Sequence, residues 1–212
     1  MEKIEISVTS LQSALDCPLC FWISEKIGPH PSIFPGIPSQ IDSVIKGYMK
    51  QFIGTSDLPP WFPIRGELID MPRILKAEDD STGVVLKGLL DALVKDPTDM
   101  YYVIDYKTGR PQENVPDYYQ TQLDGYAYLL EQNGFKPVAG GVLLYFTPNP
   151  GEISDKFFPF KITPVRARVN PDRIPKVLEH VKKILELENP PPRNESCETC
   201  MWLEQVGRRL FG

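Results

Sequence analysis

GLLDALVKDPTDMYYVIDYKTGRP, residues 88–111, embeds Asp91, Asp105 and Lys107 in apolar runs that read as strands. β-Branched and leucine residues dominate from 84 to 94, Asp-Pro-Thr-Asp marks a turn, and YYVIDYK resumes the apolar run. The pattern predicts a β-hairpin with Asp91 and Asp105 on neighbouring antiparallel strands. Along the second strand the period of two sends Asp105 and Lys107 to one face and Tyr106 to the other. Two acids and a lysine gathered there make a metal site with a built-in cation; for so short a pattern the alternative is a solvated charged face.

Working outward, 212 residues with 42% hydrophobic content suffice for one substantial core. One domain over 1–212 is expected: a helical part at 1–60, the sheet and helix bearing the charged residues at 61–165, and a C-terminal helix with a cysteine clasp at 166–212. The net charge of -5 argues against whole-surface attraction to nucleic acid and leaves room for a local basic groove. Candidates for such a groove are Arg166, Arg168, Arg173, Lys182, Lys183, Arg208 and Arg209. No window approaches the roughly 18 apolar residues of a membrane span, and MEKIEISVTSLQ lacks a leader-like apolar stretch, so a soluble, cytoplasmic protein with no membrane partner is expected. The 22 prolines cluster in stiff connections, and the loop at 28–38 is a candidate frame for the site.

Ser10 reads as the N-cap of a helix over LQSALDCPLCFWISEKI, which Pro18 must kink or restart. QIDSVIKGYMKQFI has helical spacing at Ile41, Val44, Ile45, Tyr48 and Phe52, and places Asp42 and Lys46 on another face at i,i+4. RGELIDMPRILKAED supplies a strand or two. DYYQTQLDGYAYLLEQNG reads as an amphipathic helix stopped by Gly134, with Gln122 and Tyr126 one turn apart. GGVLLYFT and KFFPFKITPV follow as strands, then a proline-started helix over PDRIPKVLEHVKKILELE. The fold class is α/β or α+β with a mixed central sheet flanked by helices.

The four cysteines form two C-x-x-C pairs, Cys17/Cys20 and Cys197/Cys200, with none left over. Four thiolates suit a tetrahedral zinc ion or a [4Fe–4S] cluster, either of which would staple the chain ends together; two pairs of small hydrophobes are the alternative. His30 and His180 read as surface or satisfied groups, and Glu67 as either an extra carboxylate near the site or a charged strand end.

Gly88-Leu-Leu-Asp91, then Asp105-Tyr-Lys107, then Gln122-Leu-Asp-Gly-Tyr126 resembles the ordered motifs of the RecB-type branch of the PD-(D/E)xK nuclease superfamily. TSLQSALDCPLCFW resembles the opening helix of that branch with its first cluster cysteine, and CETC the start of its C-terminal cysteine group. The resemblance implies a mixed sheet with the site at one edge, and Mg- or Mn-assisted cleavage of DNA phosphodiesters. It implies metal ligation by Asp91, Asp105 and the Tyr106 carbonyl, with Lys107 orienting the water or neutralising phosphate and with Gln122 and Tyr126 positioning substrate or the lysine. It also implies action in DNA repair, recombination or defence, as an exonuclease on single-stranded DNA or duplex ends, alone or beside a helicase or a CRISPR-adaptation protein. Two departures stand out. The branch's histidine before the sheet is missing, with Asp42 its substitute, and Val206 stands where a last cluster cysteine would be, so Cys20 completes a two-plus-two set. The resemblance tips the choice of cluster toward [4Fe–4S]. No G-x-x-x-x-G-K-[ST] loop occurs, so unwinding would fall to a partner, and a catalytically silent nucleic-acid-binding or scaffold subunit is the rival expectation.

Overall fold

In the computed structural model of the chain, residues 3–29, 36–153, 157 and 159–211 are described. The strands are β1 (Glu5–Ser7), β2 (Glu67–Leu68), β3 (Leu75–Glu78), β4 (Val85–Gly88), β5 (Ala92–Lys95), β6 (Tyr101–Thr108), β7 (Val138–Pro148) and β8 (Phe160–Ala167). The helices are α1 (Leu11–Asp16), α2 (Pro18–Lys26), α3 (Ile37–Met49), α4 (Asp117–Gln132), α5 (Ile174–Leu185) and α6 (Glu198–Phe211). The strands form two mixed sheets, one ordered β2-β5-β6-β7-β8 and the other β1-β4-β3.

The alternation of β5, β6 and β7 builds a core on each face of the larger sheet. Leu93, Val103, Leu143 and Tyr145 point to one side, against Leu123, Ala127 and Leu130 of α4. Ala92, Val94, Ile104, Tyr106, Val142, Leu144 and Phe146 point to the other, against Ile45 and Met49 of α3. Asp105 and Lys107 therefore share the α4 side while Tyr106 enters the α3 core, as the period of two requires.

The apolar run at 84–94 is not one strand. It breaks at residues 89–91, β4 joining the small sheet and β5 the large one. Leu89 and Leu90 continue the apolar run across the break although Leu89 is 48% exposed, so no turn signal marks the change of sheet. Pro18 ends α1 and opens α2, where its missing N–H costs nothing, with Cys17 extended between them at φ -154° and ψ 105°. Ser10 has helical dihedrals and caps nothing with its side chain; the cap is Ser7, which accepts the Thr9 N–H ahead of a 3₁₀ turn. Helix α4 is buried from Leu123 to Leu130, so it is a central helix rather than an amphipathic one. Its close packing needs glycine at two contacts, with β4 and with the 3₁₀ turn that holds Val8. A Cβ on Gly88 would stand 2.8 Å from Leu129 Cδ1 and 3.0 Å from Tyr126 Cε1, and one on Gly125 would stand 2.9 Å from Val8 Cγ1. On α3, Val44 is 71% exposed and Met49 takes its place in the core stripe. Strand β1, which pairs in parallel with β4, and helix α6 were not anticipated.

Candidate active site

The site forms where β5 is shorter than β6. Register places Ala92 opposite Ile104, so Asp91 falls opposite Asp105 but beyond the end of the ladder. From Asp105 onward β6 is paired only with β7. β6 is thus the middle strand of its sheet and not an edge strand, although its C-terminal half has an open side. The Tyr106 N–H on that side is satisfied by a side chain, donating to Asp91 Oδ2 at 2.7 Å. A strand residue presents its N–H and C=O to the same neighbour, so the Tyr106 carbonyl faces the space beside Asp91.

On the α4 side, the Lys107 ammonium is ion-paired with Asp105 and donates to Gln122 Oε1 at 3.2 Å. It also lies 4.2 Å from the ring centroid of Tyr119, a cation–π contact. Gln122 Nε2 donates to Asp105 Oδ1 at 3.3 Å and to the Tyr126 hydroxyl at 3.0 Å. Burial keeps the Tyr126 phenol protonated by raising its pKa. Asp105, Lys107, Gln122 and Tyr126 form one hydrogen-bonded network across β6 and α4.

Asp105 is 3% exposed. Burial pushes its carboxyl up to about 6, against the pull of Lys107 and with the help of Asp91. Its Oδ2 is paired with the Lys107 ammonium. The other buried acids differ. Asp124 accepts from Gln120, Asn170 and Arg173, and Asp79 from Ser81, Thr82 and Tyr128. Asp105 is held instead by Gln122 on one oxygen and by the Lys107 ammonium on the other.

On the α3 side the sequence offered Asp42 and missed its neighbour's role. Lys46 bridges Asp42 Oδ2 at 2.8 Å and Asp91 Oδ1 at 2.7 Å. Burial works to lower the lysine's pKa, but the hydrogen bonds to Asp42 and Asp91 outweigh it and the net shift is upward. The i,i+4 spacing foretold the Asp42 contact; the reach to Asp91 depended on where α3 lies on the sheet. Asp42, Asp91 and Asp105 are not gathered around one point, because an ammonium stands between the first two. Carboxylate oxygens of this kind are ligands for a hard divalent cation, and here Lys46 and Lys107 stand against them.

Asp42 and Tyr106 line two hollows. One, of about 790 Å³, is bounded by Lys46, Lys50, Arg73, Leu89 and Asp91. The other, of about 300 Å³, is bounded by Pro38, Ser39, Lys107 and Tyr119. The basic residues expected at a groove lie elsewhere. Arg166 donates to Pro63 O, Arg173 to Asp124, Lys182 to Thr82 O and Lys183 to Glu179; Arg168 is on the segment after β8, and Arg208 and Arg209 are in the last turn of α6. None of the seven lines either hollow. His180 contacts the Ala14 carbonyl at 3.2 Å and Glu67 is exposed opposite Lys95. His30 and most of the loop at 28–38 lie outside the described residues. The Sγ atoms of Cys17, Cys20, Cys197 and Cys200 all fall within 4.8 Å of one another, joining the α1–α2 junction to the start of α6.

The crystal structure of SSO0001 aligns with this chain at a TM-score of 0.54 and 19% identity, covering 96% of this chain and 86% of that one. An alkaline exonuclease from Laribacter hongkongensis aligns at a TM-score of 0.47 and 11% identity, over 97% and 94%. No curated protein sequence matches. The model of the PD-(D/E)XK nuclease superfamily matches residues 36–205, from α3 through the sheet and α4 into α6, and the chain belongs to that superfamily.

Proposed function

We propose that the chain is a Mg- or Mn-dependent deoxyribonuclease of RecB-like type, acting in DNA repair, recombination or defence through Asp91, Asp105 and Lys107. The observation that carries this proposal is the convergence of the buried Asp105 carboxylate, bound by Gln122 on one oxygen and paired with Lys107 on the other, with Asp91 on the neighbouring strand end. A buried acid whose burial raises its pKa and whose partners are a lysine and an amide of the same pocket is poised for a cation or a proton.

Asp91, Asp105 and the Tyr106 carbonyl would hold the cation, with Asp42 reaching it once Lys46 withdraws. When bound, the cation supplies Lewis-acid polarisation of the phosphate and a more acidic attacking water. Lys107, held between Asp105, Gln122 and the Tyr119 ring, directs an N–H toward the nucleophilic water or a phosphate oxygen and offsets the charge that develops there. Gln122 fixes the lysine's position, and Tyr126 fixes Gln122. Lys46, Lys50 and Arg73 line the larger hollow, where a phosphate backbone would meet positive charge.

The test is cleavage of end-labelled single-stranded and duplex DNA with Mg, Mn or EDTA, beside Lys107→Ala. Metal-dependent cutting that the variant loses supports the proposal, and equal cutting by both proteins overturns it. One observation favours a second reading. Lys46 already neutralises Asp42 and Asp91 without a metal, as suits a silent DNA-binding or scaffold subunit of a helicase or adaptation complex; DNA binding without cutting would select it.

A further inference from the structure

The four cysteines converge, but not at the spacing a four-iron cluster requires. Cys20 Sγ stands 3.3 Å from Cys200 Sγ and 3.5 Å from Cys197 Sγ, and Cys17 Sγ stands 3.7 Å from Cys200 Sγ. No pair among the four exceeds 4.8 Å. Four thiolates bound to one tetrahedral ion at about 2.3 Å are about 3.8 Å apart by geometry alone. In a cubane each thiolate binds a different iron and points away from the cluster's centre, which spreads the sulfurs to about 6 Å. The quartet matches the first arrangement and is too tight for the second.

The surroundings hold it at that size. Cys17 and Cys200 are each 3% exposed. Asn194, just ahead of α6, donates its N–H to Cys17 Sγ at 3.5 Å and its side-chain amide to the Asp16 carbonyl at 2.9 Å. Both bonds tie the segment ahead of α6 to the α1–α2 junction and oppose a spreading of the sulfurs. The two pairs are also built alike. The first cysteine of each precedes a helix and its carbonyl accepts the N–H four residues on, Phe21 to Cys17 at 3.1 Å and Met201 to Cys197 at 3.0 Å. The second cysteine of each lies in the first turn of that helix, Cys20 in α2 and Cys200 in α6. Two helix N-termini thus meet at the quartet, and their partial positive charge offsets that of the thiolates.

We propose that Cys17, Cys20, Cys197 and Cys200 bind a single zinc ion tetrahedrally, and that this position is not a [4Fe–4S] site. Four protein thiolates leave no open coordination position, so the ion is structural. It closes the loop between residues 17 and 200 and stabilises the folded chain, because the ligands meet only there. The proposal rests on thiol geometry and not on the nuclease assignment.

The test is to express the chain with both iron and zinc in the medium, purify it without oxygen, and measure metal, acid-labile sulfide and the absorption spectrum. The expected result is one zinc per chain, no sulfide and no visible colour. Cobalt added to the demetallated protein should give the intense d–d bands of a four-thiolate tetrahedral site, bleached by stoichiometric zinc. Cys20→Ser, altering one of the two less buried ligands, should weaken those bands and lower zinc affinity at least tenfold while the wild-type chain retains its ion. Iron and sulfide at about four each per chain with broad brown absorption, one iron per chain, or no stoichiometric metal overturns the proposal. None of these readouts involves DNA, so a failed cleavage assay and a failed zinc assay remain distinct results.

Discussion

Asp105 works against the stability of the fold that holds it. Its carboxyl sits at about 6 rather than near 3.8, so the folded state retains a proton that the unfolded state releases. Stability therefore falls as pH rises from about 4 to about 6 and stays reduced above that. Asp105→Asn removes the penalty and preserves an acceptor for Gln122. At pH 8 without divalent metal its melting temperature should exceed the wild type's, by a gain of up to about 3 kcal/mol, while metal-dependent cleavage is lost. A variant that melts lower would show Asp105 to be a structural ion-pair partner. Lys46→Met tests the other half of the site. Without an ammonium to displace, Mn affinity should rise a few-fold, in line with about 1 kcal/mol for a partly exposed ion pair, and metal-free stability should fall by a similar amount. Calorimetric titration showing unchanged affinity would place the cation away from Asp42 and Asp91. At this scale the sequence revealed Asp105 and Lys107 on one face, because strand alternation is local. It hid the Lys46–Asp91 bridge, which joins a helix to a strand end 45 residues away, and it did not show that Asp91 lies off the ladder.

Among the elements, α4 carries the densest constraint, because its buried middle presses on β4 and positions Gln122 and Tyr126. Gly88→Ala would drive a methyl group toward Tyr126 and Leu129. It should cost about 1–3 kcal/mol by overpacking and, through the displaced Tyr126, lower kcat more than it raises KM. Thermal melts and steady-state kinetics on one preparation check both parts, and the expected loss of stability with an unchanged kcat would detach Tyr126 from the site. Gly88 opens the GLLD motif, and the packing of α4 on β4 gives that glycine a reason independent of catalysis. The helix itself was visible in the sequence from its length and its stop at Gly134. Its burial on all sides was not, since polar residues such as Asp124 and Gln122 are satisfied by partners from distant segments. β1 was too short to announce itself, and α6 was obscured by the proline-rich stretch before it.

At the scale of the whole molecule, β6 and β7 supply alternate residues to both cores, so neither core can melt while the other keeps its sheet. Trp61 packs against the α3-side core and Trp22 against the α4-side core. Single-tryptophan variants retaining one or the other should report the same melting midpoint, coincident with far-UV circular dichroism; separated midpoints would show two units that unfold independently. The mixed sheet flanked by helices followed from the order of apolar runs, whereas its division in two did not, because the apolar run continues through Leu89 and Leu90 where the chain changes sheet. The sulfur quartet reaches furthest beyond the fold. A protein whose folded state alone binds an ion gains stability in proportion to the logarithm of that ion's free concentration. The amount of this protein in a cell would then follow zinc nutrition: under starvation its steady-state level should drop at constant transcription and recover when the metal is restored, making its abundance a gauge of micronutrient supply.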